Sequence, residues 1–214
     1  MSRYKIGNKY IHDSHISNNN FILYKIWEYE EHAKRLASEC EKLGLDYYIK
    51  EYPDTGDWLS NTRLKAKFIY ETLEELKRPV LWIDVDGSIY RKPNALMLPI
   101  TADFMARHQR TGPMRTWHVG TMFFNYTESA RHLVNFWKEL TDAAHGTDEA
   151  AFEYVWDNHS IDLDLIYEEL PAEYFHIIAR GNHFPNTTTV ISHRLSKCET
   201  KMARKQRQQS QNDS

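Results

Sequence analysis

The chain has 214 residues, 41% of them hydrophobic and 27% charged, with a formal net charge of −3. That length suits one domain with one sizeable core, and the slightly acidic balance excludes nucleic-acid binding driven by overall charge. No run approaches about 18 consecutive apolar residues, which excludes a transmembrane helix. The opening "MSRYKIGNKYIHDSHISNNN" has no apolar centre of the secretory kind, and Cys40 and Cys198 form neither a disulfide framework nor a zinc pattern. Both point to a cytoplasmic protein, in the host cytoplasm if the chain is viral.

The chain order of elements is predicted from periodicity. "FILYKI" (21–26) reads as a first strand. A helix is expected over 28–44, with Ala33, Leu36, Ala37, Cys40 and Leu43 on one stripe and Gly44 just past its end. "LDYYIKEY" (45–52) reads as a second strand, and "PDTGDW" as a loop of turn formers. A second helix is expected over 60–77, capped by Ser60 or Asn61, with Leu64, Phe68, Ile69, Leu73 and Leu76 inward and Pro79 ending it. "VLWIDV" (80–85) is continuously apolar until its acids, as a strand covered on both faces is. Strands are expected over 102–108, 118–126, 174–178 and 188–193, and helices over 127–140 and 147–158. This alternation predicts an α/β fold, a single Rossmann-like domain with a mixed, mainly parallel sheet flanked by helices. It spans residues 1–198, and 199–214 is a polar tail, basic from Lys201 until Asp213, expected to be disordered.

The chemistry concentrates at Asp84 and Asp86. In open α/β sheets ligands bind beyond the carboxyl ends of the strands. Two aspartates two apart on a strand face the same way. Their mutual repulsion calls for a cation, and hard oxygen ligands suit Mg²⁺ or Mn²⁺ gripping a diphosphate. Gly87 lets the backbone turn close to such a ligand. An Asp-x-Asp triplet also arises by chance in turns, so the position after an apolar strand carries much of this signal.

The stretch "DTGDWLSNTRLKAKFIYETLEELKRPVLWIDVDGSIYRKP" resembles the nucleotide-diphospho-sugar transferases of the GT-A glycosyltransferase fold, which carry a Gly-x-Trp, a helical lysine and an Asp-x-Asp after an apolar strand. Here these are Gly56, Trp58, Lys65, Asp84 and Asp86. "GTMFFN" (120–125), "TDEAAF" (147–152), "ELPAEYF" (169–175) and "VISHRLSK" (190–197) resemble later family segments in order, so the likeness runs over about residues 20–198.

The resemblance implies transfer of a hexose or pentose from a nucleotide-diphosphate sugar, expected to be a UDP-sugar, to an acceptor hydroxyl. It implies Asp84, Asp86 and His193 as metal ligands, with Asp84 approaching the ribose or a metal-bound water. Mn²⁺ is favoured over Mg²⁺ because one ligand is imidazole. Lys65 and Lys197 would neutralise the departing diphosphate, and Asn61, Arg63 and Trp58 would line the donor pocket. Asp148, then Glu149, are the candidates for the acceptor base of an inverting enzyme. Lys197 stands where the family more often has arginine, and Glu149 where glutamine is common. The acceptor is a glycan, a protein side chain or a hydroxymethylated pyrimidine in phage-type DNA, with the basic tail as a possible DNA contact.

Plainer readings stand beside these. Asp148 suits a helix first turn as a dipole partner, His193 a strand end, and Lys65 a solvated helix face. The alternatives in function are a metal-dependent phosphohydrolase or nucleotidyltransferase, or a silent nucleotide-sugar-binding module. A phosphohydrolase expects a further carboxylate cluster, and beyond Asp103 the sequence offers none.

Overall fold

The computed structural model describes residues 4–6, 9–11, 20–26, 30–111, 114–143, 146–178 and 188–194. Lys197, Cys198 and the tail lie outside them. A hairpin of β1 (Tyr4–Ile6) and β2 (Lys9–Ile11) comes first. Next in the chain are β3 (Asn20–Ile26), α1 (Glu30–Leu43), β4 (Tyr47–Tyr52), α2 (Trp58–Leu76) and β5 (Val80–Ile83). After them come β6 (Ser88–Ile89), β7 (Phe104–Thr111), β8 (Met114–Phe124), α3 (Glu128–Asp142) and α4 (Asp148–His159). β9 (Tyr167–Glu169), β10 (His176–Ile178) and β11 (Ile191–Arg194) complete the described chain.

The main sheet has the order β4-β3-β5-β8-β7-β9. β4, β3 and β5 run parallel, β8 is antiparallel to β5 and β7, and β9 is parallel to β7. β10, β11 and β6 form a small second sheet, in which β11 is antiparallel to β6. The mixed α/β architecture expected from the alternation is therefore present. Among the described residues no helix is long and apolar enough to cross a membrane.

The apolar run of β5 has a direct cause. Val80 and Trp82 enter a core with Phe68, Ile69 and Leu73 of α2, Leu133 and Trp137 of α3, and Phe152 of α4. Leu81 and Ile83 enter a second core with Leu36 and Cys40 of α1 and Ile89 and Ile191 of the small sheet. Successive side chains point to opposite faces, and both faces are covered. Burial pushes the Cys40 thiol up to about 12, so it packs as a small hydrophobe.

Two helix ends differ from expectation. Asp57, not Ser60 or Asn61, caps α2, because its carboxylate accepts from both the backbone N–H and the hydroxyl of Ser60. The helix closes on Lys77 in the left-handed conformation, whose N–H donates to the Leu73 carbonyl, before Pro79 is reached. The α4 cap matches expectation: Thr147 Oγ1 accepts from the Ala150 N–H. Thr147→Ala is expected to lower stability by about 1 kcal/mol, read from the urea midpoint at constant slope.

The pairing of β7 with β8 is broken at one point. Ala106 pairs with Met122, but the next residue, Arg107, pairs with His118. Val119, Gly120 and Thr121 of β8 are thus left without β7 partners at a bulge.

Candidate functional site

β5 ends at Ile83, so Asp84 is the first residue past the strand and Asp84–Gly87 is a turn rather than the strand extension expected to 85. The Gly87 N–H donates to the Asp84 carbonyl at 2.8 Å, and the Asp84 N–H donates to the Gly120 carbonyl at 2.8 Å. A Cβ on Gly87 would stand 2.8 Å from Ile83 Cγ2 and 2.9 Å from the Asp84 carbonyl oxygen, which is why the turn holds glycine.

Lys65 projects from α2 between two carboxylates. Its Nζ is 2.9 Å from Asp84 Oδ1, 2.6 Å from Asp148 Oδ2 and 3.2 Å from the Val119 carbonyl. An ammonium has three protons, and these acceptors use all of them. The side chain is 8% exposed. Burial pulls its pKa down, but Asp148 and Asp84 more than reverse that, and the ammonium is held well above its ordinary value. Asp84 Oδ1 also accepts from Trp82 Nε1 at 2.8 Å. Its carboxyl is raised, chiefly by burial and further by Asp86 and Asp148, against the pull of Lys65.

β11 brings His193 to the same turn. Its Nε2 shares a 2.6 Å hydrogen bond with Thr121 Oγ1, and its Nδ1 faces Asp86 Oδ1 at 3.9 Å. That separation is too long for a hydrogen bond. Two donors each about 2.1 Å from one cation stand at most about 4.2 Å apart, so the gap suits a cation held by both. Asp84 keeps Oδ2 at the face of Gly120, where an added Cβ would lie 3.2 Å away. The donor types fit Mn²⁺ or Mg²⁺, for which water and phosphate oxygens would supply the remaining ligands. Among the described residues, however, no three of His, Cys, Asp or Glu are already gathered around one point. The structure apposes Asp86 and His193 and leaves Asp84 engaged with Lys65 and Trp82.

The remaining expected residues lie around this centre. Asp148 opens α4 with its carboxylate on Lys65, and its backbone carbonyl accepts from Trp137 Nε1. Glu149 accepts instead from Gln109 of β7 at 3.0 Å. Arg63 Nε donates to the Gly146 carbonyl just before α4. Asn61 braces the preceding loop: its amide donates to Asp54 Oδ1 and its oxygen accepts from Thr55. Trp58 is 44% exposed, about two turns before Lys65 on the same side of α2. Asp103 is structural, since its Oδ2 accepts from the Ile166 N–H.

Several contributors escape a sequence reading. Trp82 looks like core and is buried, yet its indole N–H orients Asp84. His118 lies edge-on to His193 with ring centroids 4.6 Å apart, and burial, then His193, then Lys65, keep it neutral far below its ordinary pKa. Thr121 anchors His193. The one sequence signal for the bulge that hosts these groups is Gly120 inside a strand pattern.

No protein-family model and no curated protein matches this chain. Solved structures do. A glycosyltransferase involved in the glycosylation of the major capsid of PBCV-1 superposes with a TM-score of 0.61 at 13% identity, over 82% of this chain and 91% of that one. GlyE, a glycosyltransferase of Streptococcus pneumoniae TIGR4, superposes with a TM-score of 0.56 at 12% identity, over 82% of this chain and 54% of GlyE. Its apo form gives 0.57 at 12% identity over the same shares. The chain thus spans about half the length of GlyE. It has a GT-A-like glycosyltransferase fold.

Proposed function

We propose that the chain is a metal-dependent glycosyltransferase that moves a sugar from a nucleotide-diphosphate sugar to an acceptor hydroxyl. The observation that carries this reading is the apposition of Asp86 and His193, with Asp84 beside them, past the end of β5 in a glycosyltransferase fold. A divalent cation bound there supplies Lewis-acid stabilisation of the charge that develops on the diphosphate.

The chain's own residues set that site's shape. Asp86 and His193 hold their donor atoms toward one gap. Lys65 fixes Asp84 and, with its protons already spent, serves as an internal counter-ion in place of the phosphate contact expected of it. Asp148 anchors that counter-ion, and in this reading it takes that task rather than the task of acceptor base. Trp58 offers an exposed aromatic face for the base or sugar of the donor. The part that the PBCV-1 neighbour plays in capsid glycosylation supports a glycan or protein acceptor. A DNA acceptor rests on the basic residues of 199–214 alone.

The experiment is thermal melting with a panel of nucleoside diphosphates and their sugars, UDP-sugars first, each with and without Mn²⁺, on the wild type and on Asp86→Ala. A ligand that binds only the folded chain raises the melting point by mass action. The expected result is a rise that needs both Mn²⁺ and one nucleotide and vanishes in Asp86→Ala. A wild type that shifts with none of them overturns the reading.

A further inference from the structure

The metal-binding turn is held from outside by α1, a helix that nothing in the expected site includes. Arg35 Nη2 donates to the Gly87 carbonyl at 2.7 Å and to the Val85 carbonyl at 3.2 Å. These carbonyls flank Asp86 on either side. The peptide between them is held by the Gly87 N–H on the Asp84 carbonyl, and the turn's entry by the Asp84 N–H on the Gly120 carbonyl. One helical turn further along α1, Glu39 accepts from the Ile89 N–H at 2.8 Å, and its Oε1 lies 3.5 Å from Arg35 Nε. Arg35 Nη1 also shares a 3.0 Å hydrogen bond with His32 Nδ1. An arginine and a glutamate at i and i+4 on a surface helix ordinarily pair with each other and contribute little. Here both reach about fifty residues along the chain, Arg35 to the turn and Glu39 to β6 directly after it.

We infer that Arg35 is a positioning residue for the cation site: its guanidinium clasps the carbonyls on both sides of Asp86 and so fixes where the Asp86 carboxylate points. The clasp has a second chemical effect. Val85 and Gly87 carbonyls are hard oxygens and would compete as cation ligands if they turned inward. Bonded to the guanidinium, they face away, and the Asp86 carboxylate is the oxygen donor the turn presents. Glu39 balances the guanidinium's charge, so the clasp adds little net repulsion to an incoming cation. Groups that orient metal ligands through hydrogen bonds typically change metal affinity about 10–100-fold when removed.

This inference rests on the reading of Asp86 and His193 as a cation site, and its test separates the two. Mn²⁺ is titrated by electron paramagnetic resonance, with and without UDP, into the wild type, Arg35→Met, Arg35→Lys and, as a control arginine far from the turn, Arg131→Met. Each variant's metal-free melting point is measured alongside. Arg35→Met is expected to bind Mn²⁺ about tenfold more weakly while its metal-free melting point falls by no more than about 4 °C. Arg35→Lys, which keeps donors and charge, is expected to recover part of the affinity, and Arg131→Met to match the wild type. A wild type that binds Mn²⁺ and an Arg35→Met protein that binds it equally well overturns the positioning role and leaves the cation site standing. Affinity lost equally in Arg131→Met also overturns it. A wild type that binds no Mn²⁺ overturns both.

Discussion

Lys65→Met is expected to destabilise the protein by about 3 kcal/mol, the low end of what breaking a buried ion pair costs, because Asp84 keeps 34% of its side chain in solvent. For a chain of this size that is a fall of roughly 6–12 °C in melting temperature. The loss has a pH signature. Without the ammonium, the Asp84 carboxyl, already raised by its partial burial, loses the pull that lowers it and rises further above the unfolded value of about 3.9. A carboxyl raised on folding binds its proton more tightly when folded, so its penalty is full above the folded pKa and fades as pH falls through it. The gap between wild type and variant should therefore narrow from pH 7 toward pH 4. In the wild type Lys65 is itself raised, so its contribution is complete below its unfolded value and is lost only in strong alkali. Adding Asp148→Asn to Lys65→Met should restore part of the stability at pH 7, since it removes one of the two stranded charges. Urea unfolding of the single and double variants across this pH range reads all three effects. A pH-independent difference would show that Lys65 acts by packing.

Gly87→Ala is expected to abolish the Mn²⁺-dependent nucleotide shift and to lower stability by about 1–3 kcal/mol. The new methyl would lie 2.9 Å from the Asp84 carbonyl oxygen, the acceptor that closes the turn, and 3.2 Å from His193 Cε1. Both are fixed: one is backbone, the other a buried ring bonded to Thr121. The turn must open, and Asp86 and His193 then part. Melting with and without Mn²⁺ and the responding nucleotide separates the effects. A variant that is destabilised yet keeps the full ligand shift would show that tight closure of the turn does not matter to binding.

Much of this arrangement is legible in the residues themselves. The continuous apolar run Val80–Ile83 announces a strand covered on both faces, and it is one. The stripe of α2 that carries Phe68, Ile69 and Leu73 also fixes the side from which Lys65 reaches inward, although the lysine alone reads equally as solvated. The Asp84–Lys65–Asp148 chain is not legible, because it joins residues up to 83 positions apart, and a helix first turn explains Asp148 well enough on its own. Arg35 and Glu39 are hidden for the opposite reason: at i and i+4 on an amphipathic helix they look like an ordinary surface pair. The α2 cap falls on Asp57 rather than on Ser60 or Asn61 because all three side chains are good caps, and only backbone geometry chooses between them.

The bulge in β8 changes how this protein would answer to random mutagenesis. Val119 and Gly120 serve the site through carbonyl oxygens, which every amino acid possesses. A scan of side chains would score Val119 as a packing position and Gly120 as merely intolerant of bulk. Removing a single residue from Val119–Thr121 is a different event. The strand has to re-pair, and the carbonyls that steady Lys65 and Asp84 and the hydroxyl that steadies His193 are displaced together. Length is therefore constrained here beyond what the side chains require. A Cβ on Gly120 would meet His118 Cε1 at 2.6 Å, and the Thr121 hydroxyl holds His193. But even Val119, which serves through its carbonyl, cannot be removed, so homologues of this fold that keep the chemistry should agree there in count.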